Sequence, residues 1–135
     1  MPFIIYPQTD NKLAIIIPTG DYQDAIKDVP SGVEYAVVDD LGEFDDEYFD
    51  SFEYKELGII CNINKAKEIH LNKFREARTP KLQALDVQFM KAVEQSDSEK
   101  QAEIALEKQA LRDVTKTQLP ETLPEIKEVW PAILN

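Results

Sequence analysis

Residues 62–93 read NINKAKEIHLNKFREARTPKLQALDVQFMKAV, and the structure of the second half of the chain follows from this stretch. Apolar side chains recur in it at spacings near three and four, which is the period of a helix with one buried face. The stretch therefore predicts a long amphipathic helix. Pro80 lies inside it, and its ring and missing N–H predict a kink or a break there. The apolar positions are Ile63, Ala66, Ile69, Phe74, Ala77, Leu82, Leu85, Phe89 and Ala92.

A second helix follows after a short link. Ser96 and Glu99 have the spacing of a capping box, which predicts a helix from there to about Asp113. Because the link is short, the two helices are predicted to form an antiparallel hairpin. Counting outward from a turn near residues 96–97 gives four facing pairs: Phe89 with Ile104, Leu82 with Leu111, Asp86 with Lys108, and Arg78 with Asp113.

The C-terminal residues predict a short last helix. Thr122 and Glu125 repeat the capping-box spacing, and the helix would place Leu123, Ile126 and Trp130 against the rest. Two helices that share one narrow apolar stripe bury little area. We therefore expect this last helix, or another subunit, to cover the hairpin.

The N-terminal part predicts β-structure. Residues 3–6 and 12–17 are β-branched runs separated by turn formers, which is typical of a hairpin. A short helix capped by Asp21 and a third strand over 33–38 follow. The acidic stretch 39–53 is predicted to be a loop held by its aromatic rings, and residues 57–61 to be a fourth strand or a connector. The fold class is α+β, with a β-rich part over 1–58 and a helical module over 59–135, as one compact unit or two subdomains.

Charge is distributed unevenly along the chain. Residues 1–58 hold 14 acids and 3 bases, whereas residues 59–135 hold 12 of each. This asymmetry predicts two distinct parts that attract one another, or that each attract a partner. A net charge of −11 disfavours binding to nucleic acid or to an anionic membrane. The longest apolar run, 13–17, is too short for a membrane span, and we expect no signal peptide.

Candidate catalytic and ligand-binding residues are scarce. His70 is the only histidine, and it lies among lysines and arginines, which is unfavourable for a general base. Cys61, the one cysteine, is typical of a small buried apolar side chain and favours a reducing compartment. One cysteine and one histidine cannot close a zinc site, and the acidic stretch lacks the spacing of a calcium loop. We therefore expect no cofactor, no metal and no enzymatic activity.

Several segments together resemble small proteins of the bacteriophage and prophage tail region. Residues 27–39, KDVPSGVEYAVVD, follow the run IIIP at 15–18 and are similar to a segment common among them. The second half resembles the helical module of phage tail-fibre assembly chaperone-like proteins, through residues 64–70, the pairs Arg75/Arg78 and Leu82/Leu85, and residues 108–115, KQALRDVT. The segment FDSFE at 49–53 departs from that family, which often has an arginine and a tryptophan there.

The resemblance implies no catalytic residues. It implies a role in tail assembly, with a phage tail or tail-fibre protein as partner and homo-oligomerisation as a further option. The localisation that it implies is the cytoplasm of the bacterial host or the virion. Three alternatives stay open: a small structural virion component, an acidic DNA mimic that inhibits a host enzyme, and an unrecognised enzyme. The candidate partner-binding residues are Arg75, Arg78, Leu82, Leu85, Phe89, Leu111 and Arg112.

Overall fold

The computed structural model describes residues 2–135, and the chain divides into two units, Met1–Ala66 and Lys67–Asn135. The α+β class is as predicted, with two sheets in the first unit and the helical hairpin and short last helix after them. The division lies later in the chain than the predicted one after residue 58. The boundary lies later because the strand at 58–61 pairs with the strand before it, so that it belongs to the first unit.

The larger sheet of the first unit has three antiparallel strands in the order β2-β1-β3: β1 at Phe3–Pro7, β2 at Leu13–Ile16 and β3 at Ala36–Val38. The predicted hairpin is therefore confirmed, and the predicted third strand is shorter than expected. Ile4 and Ile5 point to opposite faces of β1, yet both are fully buried. Both faces of the sheet are thus covered at its central strand.

The short predicted helix is present as α1, Tyr22–Ala25, followed by a 3-10 turn at Ile26–Asp28. Asp21 caps it as expected, since its carboxylate accepts a hydrogen bond from Gln23 N at 3.0 Å.

The acidic stretch is held by its rings, as predicted. Tyr48 and Phe52 are buried, and the ring of Phe44 lies 5.5 Å from that of Phe49 and 5.1 Å from that of Phe52. The stretch is not only a loop, however. It contains a 3-10 helix at Asp46–Ser51 and then a strand, β4 at Phe52–Lys55, which pairs with β5 at Gly58–Cys61.

A charged contact joins β4 to the start of the long helix within the first unit. Lys65 Nζ donates to Glu53 Oε2 at 2.8 Å and Asn62 Nδ2 donates to the same atom at 3.4 Å. The hydrogen bond from Lys65 is the main reason that the pKa of Glu53 lies below its ordinary value, with burial opposing the shift. The ionised carboxylate therefore contributes to the stability of the first unit.

We expect this contribution to depend on pH. It is complete above the ordinary glutamate pKa of 4.5 and is lost as the pH falls through the lowered pKa of the folded state. Glu53→Gln should therefore remove part of the acid-induced loss of stability. Hydrogen exchange of the β4 amides between about pH 6 and pH 3 measures it. An unchanged acid profile in Glu53→Gln, or an equal change in the exposed variant Glu56→Gln, would contradict the assignment.

The first long helix, α2, runs over Ile63–Glu94. Asn62 Oδ1 accepts a hydrogen bond from Lys65 N at its start, 3.3 Å away. The helix continues through Pro80, so the predicted break is wrong, while a kink stays a prediction. Proline removes only one ladder bond, and buried side chains on both sides of it, Phe74 and Leu85, pack into one core.

The second long helix, α3, runs over Ser98–Asp113, and the short last helix, α4, over Leu123–Glu128. The predicted capping boxes locate the start of each of these helices to within two residues. The side-chain hydrogen bonds that they predict at the caps do not form. Asp97 caps α3, since its carboxylate accepts from Lys100 N at 3.0 Å, whereas Ser96 has a φ of 52° and forms the turn. Thr122 precedes α4 without a side-chain cap bond.

Asp97→Ala is expected to lower the free energy of unfolding by about 0.5–2 kcal/mol, because it removes the acceptor that satisfies a first-turn N–H of α3. Ser96→Ala should cost less than about 0.5 kcal/mol, since Ser96 donates and accepts no cap bond there. Urea unfolding of both variants measures the difference. A larger loss in Ser96→Ala than in Asp97→Ala would restore the original capping-box interpretation.

The core of the second unit lies between α2, α3 and the C-terminal segment. Leu82 and Phe89 pack against the same cluster as Ile104 and Leu111, in agreement with the predicted register. Trp130 is more exposed than predicted, although its ring lies 5.5 Å from that of Phe74. The buried members of the cluster are Phe74, Leu85, Ala92, Ile104, Leu111, Val114 and Leu134.

Of the two predicted ion pairs across the hairpin, one forms. Lys108 pairs with Asp86, as the register required. Arg78 does not pair with Asp113: its guanidinium donates instead to the carbonyls of Leu111 and Arg112, at 3.4 and 2.9 Å. Asp113 is held by the hydrogen bond from Lys116 and then by that from Gln109, which together lower its pKa. The last backbone carbonyls of α3 have no N–H partner within the helix, so they can accept hydrogen bonds from Arg78.

Candidate functional site

The hairpin has two sides, one on each edge of the seam between α2 and α3. On one side the seam is closed by side chains. Lys108 pairs with Asp86 and its ammonium lies 5.6 Å from the centre of the Phe89 ring, while Gln101 Nε2 donates to the carbonyl of Ala92 at 3.4 Å. These contacts fill the seam on this side.

The other side is open, and we call it the hairpin groove. Two concavities of about 480 and 180 Å³ follow one another along it. Their α2 residues repeat at spacings of three and four, so they lie on a single face of that helix. The α2 members are Lys81, Ala84, Leu85, Gln88, Lys91, Ala92 and Gln95, the α3 members are Lys100, Glu107 and Leu111, and Ile133 completes the lining.

The C-terminal segment of the chain already occupies one end of the groove. It forms a 3-10 turn at Ala132–Leu134, in which Leu134 is buried in the core of the unit and Ile133 lines the larger concavity. Lys81 Nζ donates to the carbonyl of Asn135 at 2.8 Å and fixes the segment there. The groove thus accepts a short apolar segment held at its rim by a lysine, and the part nearer the helical turn is left open.

Charges along the groove follow an order. Lys91 and Lys100 flank the smaller concavity near the turn, and no carboxylate lines it. Lys100 is 3.7 Å from Glu103, a long and exposed pair that competes weakly for the ammonium. Glu107 lines the larger concavity. The groove is therefore positive near the turn of the hairpin, while the larger concavity has one charge of each sign, Glu107 from α3 and Lys81, which holds the C-terminal segment.

The seven predicted partner-binding residues do not lie together in the structure. Only Leu85 and Leu111 line the groove, and both are largely buried in its floor. Leu82 and Phe89 are half-buried in the core packing instead. Arg112 is exposed and away from the groove.

Two of the arginines have local partners. Arg75 donates to Glu68 Oε1 at 2.8 Å and also to Asn72, and Arg78 holds the end of α3 as described. These contacts stabilise α2 and the hairpin, so the two guanidinium groups are already used within the second unit.

In the sequence, the groove residues of α2 form a second stripe of small and polar side chains beside the apolar stripe. Ala84, Gln88, Lys91 and Gln95 repeat at helical spacing beside the apolar stripe of α2 and are mostly exposed. Small and polar side chains at such positions are read as a solvated face. One end of the groove is bounded by Ile133 of the distant segment 132–134, and periodicity does not contain that information.

The other candidate residues have structural surroundings. His70 is buried, donates from Nε2 to the carbonyl of Val129 at 2.7 Å, and lies edge-on to the Phe74 ring at 5.0 Å. Cys61 is half-buried with its Sγ 3.6 Å from Ser51 Oγ. Within residues 2–135, no group of three or more His, Cys, Asp or Glu side chains is placed to hold a metal ion.

Over the same described residues, every helix is too short or too polar to cross a lipid bilayer. Comparison of the chain with protein-family models, curated proteins and solved structures finds no match to any of them.

Proposed function

We propose that this protein is a non-enzymatic tail assembly factor of a bacteriophage or prophage, a chaperone-like protein that binds a tail or tail-fibre polypeptide. The observation that supports binding is the open hairpin groove, which lies in the half of the chain whose sequence resembles such factors. By contrast, most of the lysine and arginine side chains between residues 65 and 81 form ion pairs or hydrogen bonds within the chain.

The dimensions of the groove suit a helical segment. From Ala84 to Gln95 it extends about 16 Å along α2, at about 1.5 Å per residue. This length accommodates about three turns of an added helix, which would convert the two-helix seam into a three-helix arrangement. A fibre subunit exposes apolar segments until it assembles, and an amphipathic helix in a groove is one of the common ways to cover them.

The charge order selects the partner. An amphipathic helix with a carboxylate at the end that meets Lys91 and Lys100, and a basic residue that meets Glu107, matches the groove. A helix with the opposite order places like charges together and is disfavoured. The strongly acidic first part of the chain keeps such a complex soluble.

Co-expression tests the proposal. The chain is produced with the tail-fibre proteins encoded beside its gene, and soluble fibre protein and its co-purification are measured. We expect the wild type to raise fibre solubility and the double variant Lys91→Glu/Lys100→Glu to lose most of this effect. Arg112→Glu, an exposed charge reversal outside the groove, should behave as the wild type. If no adjacent tail or fibre protein binds or gains solubility, the proposal fails.

A further inference from the structure

The first unit has a free sheet edge. In the order β2-β1-β3, strand β3 pairs with β1 on one side and has no strand on the other. In the described part of the chain, backbone groups of residues 35–39 form no backbone hydrogen bonds beyond that pairing. Alternate N–H and C=O groups of an edge strand point outward, so β3 presents unpaired donors and acceptors. The opposite edge differs, because Lys12, just before β2, forms a bridge with Glu53 of β4.

The side chains of this edge are apolar. Val37 in the strand and Tyr35 directly before it are each 40% exposed. Val37 is in register with Ile4, which is fully buried and is itself in register with Ile16. An apolar row therefore continues from the core of the sheet to its rim. Natural edge strands are usually protected by lysine or proline, and residues 35–38 contain neither.

Acidic residues border the edge on both sides. Glu34 precedes the strand, and Asp39 and Asp40 follow it directly, all three exposed. The surrounding residues 1–58 hold 14 acids against 3 bases. A segment laid along β3 therefore meets unpaired backbone groups and apolar side chains in its middle and negative charge at both ends.

We propose that the outer edge of β3 accepts an extended, basic segment of a partner polypeptide as an added strand. Its backbone pairs with the outward groups of Ala36–Val38, and its apolar side chains cover Tyr35 and Val37. Its lysines or arginines lie on the opposite face, against Glu34 at one end and Asp40 at the other. This mode of recognition takes affinity from main-chain hydrogen bonds and selectivity from alternate side chains. The site is separate from the hairpin groove and does not rest on the proposed function.

A matched pair of peptides tests the site on the full chain. The probe is a short peptide that alternates lysine with valine, and the control is the same peptide N-methylated at alternate backbone nitrogens, which keeps charge and side chains but blocks strand pairing. Nuclear magnetic resonance titration gives affinity and location. We expect at least about tenfold weaker binding of the control, because several hydrogen bonds are lost. The probe should also slow amide exchange in Ala36–Val38.

Variants complete the test. Val37→Lys places a cation in the edge and should abolish the difference between the two peptides, while the same exchange at another exposed valine, Val87→Lys in α2, should preserve it. Tyr35→Lys serves if Val37→Lys unfolds, with far-ultraviolet circular dichroism as the check on both. Equal affinity for the two peptides, which would mean attraction of charge alone, overturns the proposal. So do shifts confined to residues away from β3.

Discussion

Filling the hairpin groove by Ala84→Trp is expected to lower the affinity for the proposed tail polypeptide at least about thirtyfold, while the fold is kept. Ala84 is an exposed residue on the wall of the larger concavity, so an indole there occupies the space that a partner helix needs. Steric overlap in a packed interface of this kind costs as much as a hot-spot truncation, about 2 kcal/mol or more. Affinity is measured by calorimetry with the fibre fragment identified through co-expression.

The matched control is Ala102→Trp. Ala102 is also an exposed alanine in a long helix, but it lies on the α3 face directly away from Ile104 and Leu111. Its indole should leave affinity within about twofold of the wild type. If Ala102→Trp impairs binding as much as Ala84→Trp, or if neither does, the partner does not use the groove.

Leu111→Ala is expected to destabilise the second unit by about 2–5 kcal/mol, whereas Leu106→Ala on the same helix should change its stability by less than about 0.5 kcal/mol. Leu111 is 3% exposed within the hairpin core, and Leu106 is 73% exposed. The chemical change is identical, so the difference isolates burial and the cavity left behind. It tests whether α3 presents the face to α2 that the register requires.

The chain contains a built-in reporter for this measurement. Trp130 is the only tryptophan, and its ring lies 5.5 Å from that of Phe74 in the core of the second unit. Its fluorescence during urea unfolding therefore follows this unit. Similar midpoints for the two variants would show that the helices pack in another register, and the groove would then not exist as described.

The helical half was the easier part to predict. The apolar period of α2 and α3 and the short link between them were sufficient for the hairpin, and counting from the turn gave the Asp86–Lys108 pair. Such features depend on residues close in sequence or on a register set by one turn. The pairing of Arg78 failed because the competing acceptors were backbone carbonyls, which a pattern of charges does not include.

Features that depend on backbone conformation or on distant segments were missed. The residue pattern did not predict strand β4 and its turn. Glu56 and Leu57 both adopt positive φ angles there, 51° and 64°, without the Asn-Gly or Asp-Gly pattern that normally indicates such a turn. The cap of α3 moved by one residue for a similar reason, since Ser96 takes the left-handed conformation. The groove itself is defined by where Ile133 packs, far along the chain from α2.

Site-specific photocrosslinking in induced or infected cells tests whether the hairpin groove binds a tail polypeptide. A photoreactive amino acid replaces Gln88, in the groove, or Leu106, on the outer face of α3, and crosslinked products are identified by mass spectrometry. We expect position 88 to crosslink to a phage tail or tail-fibre polypeptide and position 106 to give little of that product. Equal crosslinking from both positions, or no tail polypeptide attached at position 88, would mean that the groove is not a binding site for such a polypeptide.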